Sequence, residues 1–261
     1  MARKLLYVTY GITSYLVFFG VFLNLILFSG NLLVPVSVDK GLEMNMVSAI
    51  LVNIILIAQF GVSHSLMARK WFKDWWTQII PVELERSTYV LVSSLSVGLI
   101  IWFWKPISDV IIWDISGAPF AIIAWALFLS GWGLVFVSSL VINHFDLFGL
   151  RQVYLYARDL PYTPLEFKVS SLYRVVRHPL QLGIVLGVWA HPTMTVSHLF
   201  FSVGFTIYIL IGLYFEERDL IRDFGEKYIQ YRLTTPKLIP FLPKSKPDIQ
   251  DTVMHSEAAG D

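Results

Sequence analysis

LYRVVRHPLQLGIVLGVWAHPTMTVSHLFFSVGFTIYILIGLYFEE, residues Leu172 to Glu217, is the stretch on which the reading of the fold turns. Cations cluster at its start (Arg174, Arg177, His178) and Pro179 marks a turn. Two apolar segments follow, about Leu180 to Ala190 and Val196 to Phe215, broken at His191-Pro192, and the carboxylates Glu216 and Glu217 close the stretch. Folded as a hairpin, it brings both charged ends to one side of a membrane, where they suit a zwitterionic ligand. The first arm reaches only about 16 Å at 1.5 Å per residue, too short for a hydrocarbon core of about 30 Å. Either its helix starts earlier and kinks at Pro179, or the Arg-His-Pro corner is recessed, which is tolerated where backbone lines a cavity. Gly183 and Gly187, four residues apart, offer a small-residue face for close helix packing.

Outward from the hairpin, the composition is that of a membrane protein. The 261 residues are 56% hydrophobic and 15% charged, against about 25% charged in soluble domains, and mean hydropathy is +0.62. Further apolar runs cover about Leu5 to Phe28, Met46 to Met67, Tyr89 to Trp104 and Pro119 to Ile142. The first is too long for a signal-peptide core of about 7 to 15 residues. Gly131 and Gly133 in the fourth invite close approach of a neighbour. These runs predict an all-α integral membrane protein, a bundle of five to six transmembrane helices with a C-terminal helical hairpin, forming one domain over 1–243. The tail 244–261 reads as polar and disordered. With both termini cytoplasmic, the positive-inside rule leaves only Lys40 and Lys105 outside, which fits an inner or cytoplasmic membrane. Cysteine is absent, so thiolate metal sites, disulfides and Cys nucleophiles are excluded. No metal site or nucleic-acid surface is expected.

Polar residues concentrate on the expected cytoplasmic face. SHSLMARKWFKDWW supplies Ser63, His64 and Ser65; ELERSTY supplies Glu85 and Arg86; NHFDLFGLRQVYLY supplies His144, Asp146, Arg151 and Gln152. Converging on the charged ends of the hairpin, they predict a cytosol-facing active site. His191 and His198 fall on the outer side, where a structural role is expected. Phe205, Tyr208 and Trp189 read as packing or lipid-facing residues.

RxxRHP with a glycine four residues after the proline, a hairpin ending in EE, then FGEKYIQY and TPKLIP resembles the membrane methyltransferases typified by isoprenylcysteine carboxyl methyltransferase. Arg174, Arg177, His178, Pro179, Gly183, Glu216, Glu217, Phe224, Gly225, Glu226, Tyr228, Tyr231, Pro236 and Pro240 carry this resemblance. SHSLMAR, ERSTYVL and NHFDLFGLRQV are similar to the methanethiol S-methyltransferase branch, over about Leu56 to Pro240. The superfamily often has an aromatic residue two after the proline, whereas here that position is Gln181. The resemblance implies S-adenosylmethionine as methyl donor, S-adenosylhomocysteine as product, and a small thiol as acceptor, with the bilayer as surroundings and no obligate protein partner. It places a cofactor-binding hairpin at about 172–240. Charge logic then gives the donor's carboxylate to Arg174, Arg177 or His178, its ammonium or ribose to Glu216 and Glu217, and its adenine to Tyr173, Leu182 or Tyr228. Pro179, Gln181 and Gly183 complete that set. An acceptor thiol needs a base or a positive field at neutral pH; His64, His144 and Asp146 are the candidates, with Arg86 and Arg151 as orienting charges. Two alternatives remain at this point. One is a lipid, isoprenoid or other acceptor, disfavoured if Trp75, Trp76 and Phe145 close the pocket. The other is a non-enzymatic haem protein using two of His64, His144 and His178.

Overall fold

The computed structural model describes residues 1–242; the tail and His255 lie outside the described residues. Five helices among them are long and apolar enough to cross a membrane: α1 (Ala2–Ser29), α2 (Met46–Ala68), α4 (Val82–Phe103), α5 (Phe120–Ile142) and α9 (Val196–Phe224). Between them lie the short helices α3 (Lys70–Trp76), α6 (His144–Leu147) and α7 (Leu150–Ala157), a 3-10 turn at Ser171–Arg174, and α8 (Pro179–Trp189), while α10 (Glu226–Thr234) follows α9. The interval after the fourth apolar run is therefore partly helical.

Local chemistry sets the boundaries. Asn45 caps α2 by accepting the Ser48 N–H at 3.0 Å, and Thr195 caps α9 by accepting that of His198 at 3.0 Å. Helix α4 starts at Val82, seven residues ahead of the apolar run, because Glu83 and Glu85 favour the positive end of the helix. Helix α8 starts at Pro179 itself, where a missing N–H is harmless. The short arm is thus a helix of 11 residues with no kinked extension, and the corner ahead of it, Arg177 and His178, is buried in protein. Helix α9 does not stop at the Glu pair but runs two turns beyond it to Phe224, ending where Gly225 adopts φ +55°.

The glycine face works as a seam between α5 and α8. A Cβ on Gly131 would lie 2.5 Å from the Gly187 nitrogen, and one on Gly183 would lie 2.6 Å from the Gly131 oxygen. Only glycine permits backbones this close. Gly133 has open space instead, so the approach made at Gly131 does not extend to it.

The end opposite the hairpin's charges is closed by polar links. Asn53 brackets Lys105, donating to its carbonyl at 2.7 Å and accepting from its N–H at 3.0 Å. Asp39 accepts the Thr195 hydroxyl. An antiparallel pair of short strands, β1 (Ile111–Asp114) and β2 (Thr193–Thr195), adds the one sheet in the described residues. His191 and His198 stack here at 4.8 Å. His198 Nε2 bonds the Val188 carbonyl at 3.0 Å, so this pair fastens α8 to α9. Lys40 and Lys105 both lie at this end. Between the two ends the core packs Phe28, Trp104, Phe128 and Phe201.

Candidate active site

At the charged end, the two adjacent glutamates have different surroundings. Glu217 is buried and accepts from Arg177 Nε at 2.8 Å, His178 Nε2 at 3.1 Å and Lys237 Nζ at 3.1 Å. Arg177 also donates to the carbonyls of Arg232 at 2.9 Å and Thr235 at 2.6 Å. The backbone joins in, with Arg177 N donating to Pro236 O and His178 N to Lys237 O. Glu217 and Arg177 thereby fasten the residues after α10 across the start of α8. Lys237, within the TPKLIP motif, is a member of this cluster that was not among the candidate site residues.

Glu216 is free of that knot. Its side chain is 45% exposed, 3.8 Å from His178 Nδ1, and takes a bond from Gln181 Nε2 at 3.2 Å. Its charge acts on four tyrosines from different elements: Tyr89 of α4, Tyr173 of the 3-10 turn, Tyr208 of α9 and Tyr228 of α10. A half-exposed carboxylate in an electrostatic neighbourhood shared with tyrosines suits a cation, which negative charge and ring faces both attract. Burial first, then Glu216, pushes the Tyr173 hydroxyl far above its usual value, so it stays protonated. That hydroxyl is buried without a hydrogen-bond partner among the described residues. Arg174 is exposed and Leu182 half-buried; Gly183 is taken up by the α5 seam. Tyr228 is buried with Ile221, Ile229 and Tyr231, as backing to the site.

One turn outward from Glu216 and Tyr89, Leu220 and Arg86 line a cavity of about 760 Å3, with Lys73, Glu85, Asp146 and Tyr162 also in its wall. Pockets for small molecules and cofactors span roughly 300–1,000 Å3. Trp75, Trp76 and Phe145 do not line it, and Trp75 and Phe145 are exposed, so the condition that would disfavour a bulky acceptor is not met. Arg151 Nη1 pairs with Asp146 Oδ1 at 2.8 Å and holds the Thr163 carbonyl at 2.9 Å, tying the segment after α7 over the cavity. Arg86 donates from Nε to the Leu147 carbonyl at 2.7 Å, and its guanidinium carbon stands 4.9 Å from the Tyr89 ring centre.

The two candidate histidines are in separate places. His64 lies between tyrosines, Nε2 2.7 Å from the Tyr89 hydroxyl and Nδ1 2.8 Å from that of Tyr208. His144 is turned toward α1 and α5, bonding Tyr15 at 2.9 Å and Ser139 at 2.8 Å. Burial holds it below its usual value, hence neutral. Both nitrogens of the His64 and His144 rings are engaged by hydrogen bonds, and His178 Nε2 is held by Glu217 at 3.1 Å. Tyr208, read from sequence as packing, is thus a polar partner of His64.

Comparison with known proteins extends this picture. The family model described as NnrU protein matches residues 52–237, from within α2 to Lys237 of the Glu217 cluster. A "Methanethiol S-methyltransferase" from Crocosphaera subtropica is 48% identical over 235 residues, covering 90% of this chain and 92% of that protein. One of the same name from Mycobacterium tuberculosis is 46% identical over 239 residues, 92% of this chain and 98% of its own length. The chain belongs to the NnrU family, among the methanethiol S-methyltransferases. Nurim from Sus scrofa is a more remote relative, 28% identical over 198 residues. No solved structure matches. The family resemblance carried by the Arg-His-Pro corner and the upstream segments is thereby shown. Both the Arg177–Glu217–Lys237 cluster and the His64–Tyr89–Arg86 region fall inside the matched span.

Proposed function

We propose that this enzyme transfers a methyl group from S-adenosylmethionine to methanethiol, giving dimethyl sulfide and S-adenosylhomocysteine, in the cavity between α4, α6 and α9. The observation that carries the reading is Glu216, a half-exposed carboxylate held by Gln181 and one helical turn from Leu220 in the wall of a cavity of about 760 Å3. The residues present fit the donor. Glu216 suits its ammonium or ribose hydroxyls, exposed Arg174 its carboxylate, Tyr173 and Leu182 its base, and the tyrosine faces its sulfonium. When bound, it supplies an electrophilic methyl whose bond to the donor sulfur breaks, with its electron pair, as the acceptor thiolate forms its own. The protein's share is alignment, which is worth much of the barrier in such displacements. Gln181 steadies Glu216, and the Arg177–Glu217 pair holds the corner from which Arg174 projects.

The basic residues support a cytoplasmic location for the site and both termini, since Lys40 and Lys105 sit at the opposite end. A charged donor then arrives from the cytosol while a small neutral thiol enters through the bilayer. The test is purified protein in lipid nanodiscs with labelled S-adenosylmethionine and methanethiol. Labelled dimethyl sulfide in the headspace is expected; absence of donor binding by calorimetry in the folded protein would remove the proposal.

A further inference from the structure

Methanethiol is one carbon and one sulfur with their hydrogens, whereas the cavity beside Glu216 measures about 760 Å3. Its wall is divided by chemistry. Lys73 of α3 and Glu83, Glu85 and Arg86 of α4 supply charge, while Leu147 of α6, Leu155 of α7, Leu160 after it and Leu220 of α9 supply apolar surface. Asp146, the carboxylate among these latter elements, is already engaged, paired with Arg151 at 2.8 Å and taking the Gln152 side-chain N–H on its carbonyl at 3.2 Å. An alkyl chain gains from leaving water only where it meets apolar surface, and here that surface belongs to α6, α7 and α9. No ring closes it. The aromatic residues of the wall are each held against a neighbour: Tyr156 stacks on Tyr7 of α1 at 4.7 Å, Phe224 lies 5.2 Å from Phe167, and Tyr162 lies 5.0 Å from the Arg151 guanidinium carbon. Glu216, Arg174, Tyr173 and Leu182, the residues that suit the donor, do not line the cavity. Its apolar part is therefore left to the acceptor.

Resting on the functional reading above, we propose that the enzyme also methylates alkyl thiols longer than methanethiol, with Leu147, Leu155 and Leu160 receiving the chain and setting the length accepted. The step balances as it does for methanethiol. The bond from the donor sulfur to its methyl breaks and leaves its pair on that sulfur, the acceptor sulfur forms the new bond to the methyl, and the S–H proton passes to water. The products are a methyl alkyl sulfide and S-adenosylhomocysteine. Straight-chain thiols share the same sulfur chemistry, so differences among them report on the wall that meets the chain. Burial of one methylene corresponds to about a fourfold gain in kcat/KM.

The experiment gives the full-length protein in lipid nanodiscs S-adenosylmethionine with methanethiol, ethanethiol, 1-propanethiol or 1-butanethiol, the free concentration of each fixed from its headspace. The wild type is expected to methylate the longer thiols, with kcat/KM rising about fourfold per methylene until the chain reaches the end of the cavity. Leu155→Trp and, as a second variant, Leu147→Phe fill the apolar part. Each should lower the ratio of 1-butanethiol to methanethiol kcat/KM by about tenfold or more. That ratio is taken within one sample, so it does not depend on how much of the variant is folded. Methanethiol turnover without turnover of ethanethiol or 1-propanethiol would overturn the proposal, as would an unchanged ratio in both variants. Failure of the wild type with methanethiol would instead strike the functional reading itself.

Discussion

Replacing each of the adjacent glutamates separately should separate folding from binding. Glu217 accepts from Arg177, His178 and Lys237 within 3.1 Å, and the Arg177 side chain is wholly buried. Removing one member of a buried, hydrogen-bonded pair leaves an uncompensated charge and costs about 3–5 kcal/mol. Glu217→Ala is therefore expected to lose a large part of the stability of a typical domain, about 5–15 kcal/mol. Glu216, with its side chain 45% exposed and one neutral hydrogen bond from Gln181, should cost little to replace. Glu216→Gln would remove a charge-assisted contact to the donor worth about 1.5–3 kcal/mol, or about ten- to over a hundredfold in Kd. Denaturant unfolding in micelles, followed by tryptophan fluorescence, reads the first effect, and calorimetry with S-adenosylhomocysteine reads the second. If Glu217→Ala unfolds like wild type while losing ligand affinity, or if the two variants have equal midpoints, the division of labour drawn from the geometry is wrong.

Other outcomes follow from the same coordinates. Gly183→Leu and Gly131→Val should abolish folded protein in detergent size-exclusion profiles, because a Cβ at 2.5–2.6 Å from backbone forces α5 and α8 apart, whereas Gly133→Ala, facing open space, should be neutral or stabilising by about 0.5–1 kcal/mol. Arg151→Ala releases the segment after α7 from the cavity rim; it should raise the donor KM while costing only about 1 kcal/mol of stability for a partly exposed pair. His144 is buried neutral, with a folded value below its ordinary 6.5. Its contribution is complete above about pH 6.5 and is lost as pH falls from there toward the folded value. His144→Gln should flatten that acid limb of an unfolding-versus-pH curve.

The long helices were legible because a bilayer imposes their length, and the glycine spacing of α8 because close helix packing admits no side chain. The hairpin's first arm was measurable as too short, and Pro179 as helix start explains how it is accommodated. Other features were hidden for physical reasons. Glu216 and Glu217 are identical in sequence, but neighbours on a helix point about 100° apart, so only the packing of α9 decides which one is buried. Tyr208 sits among apolar residues, and an aromatic facing lipid reads the same as one bonding His64. Lys237 reaches Glu217 through a turn that only tertiary structure reveals. His64 and His144 share a side of the bundle, yet they face different neighbours, and linear proximity to polar motifs did not distinguish them. The β1–β2 pair is too short for any alternation to show.

The bonds from Arg177 and His178 to Pro236, Lys237, Thr235 and Arg232 also bear on biosynthesis. A ribosome delivers residues in order, so the Arg-His-Pro corner waits, with a buried arginine lacking its carbonyl acceptors, until the segment at 232–237 has emerged. The five long apolar helices of the described residues are all made before that moment. A chain interrupted just short of Arg232 would thus carry the five long apolar helices yet leave its most polar corner open.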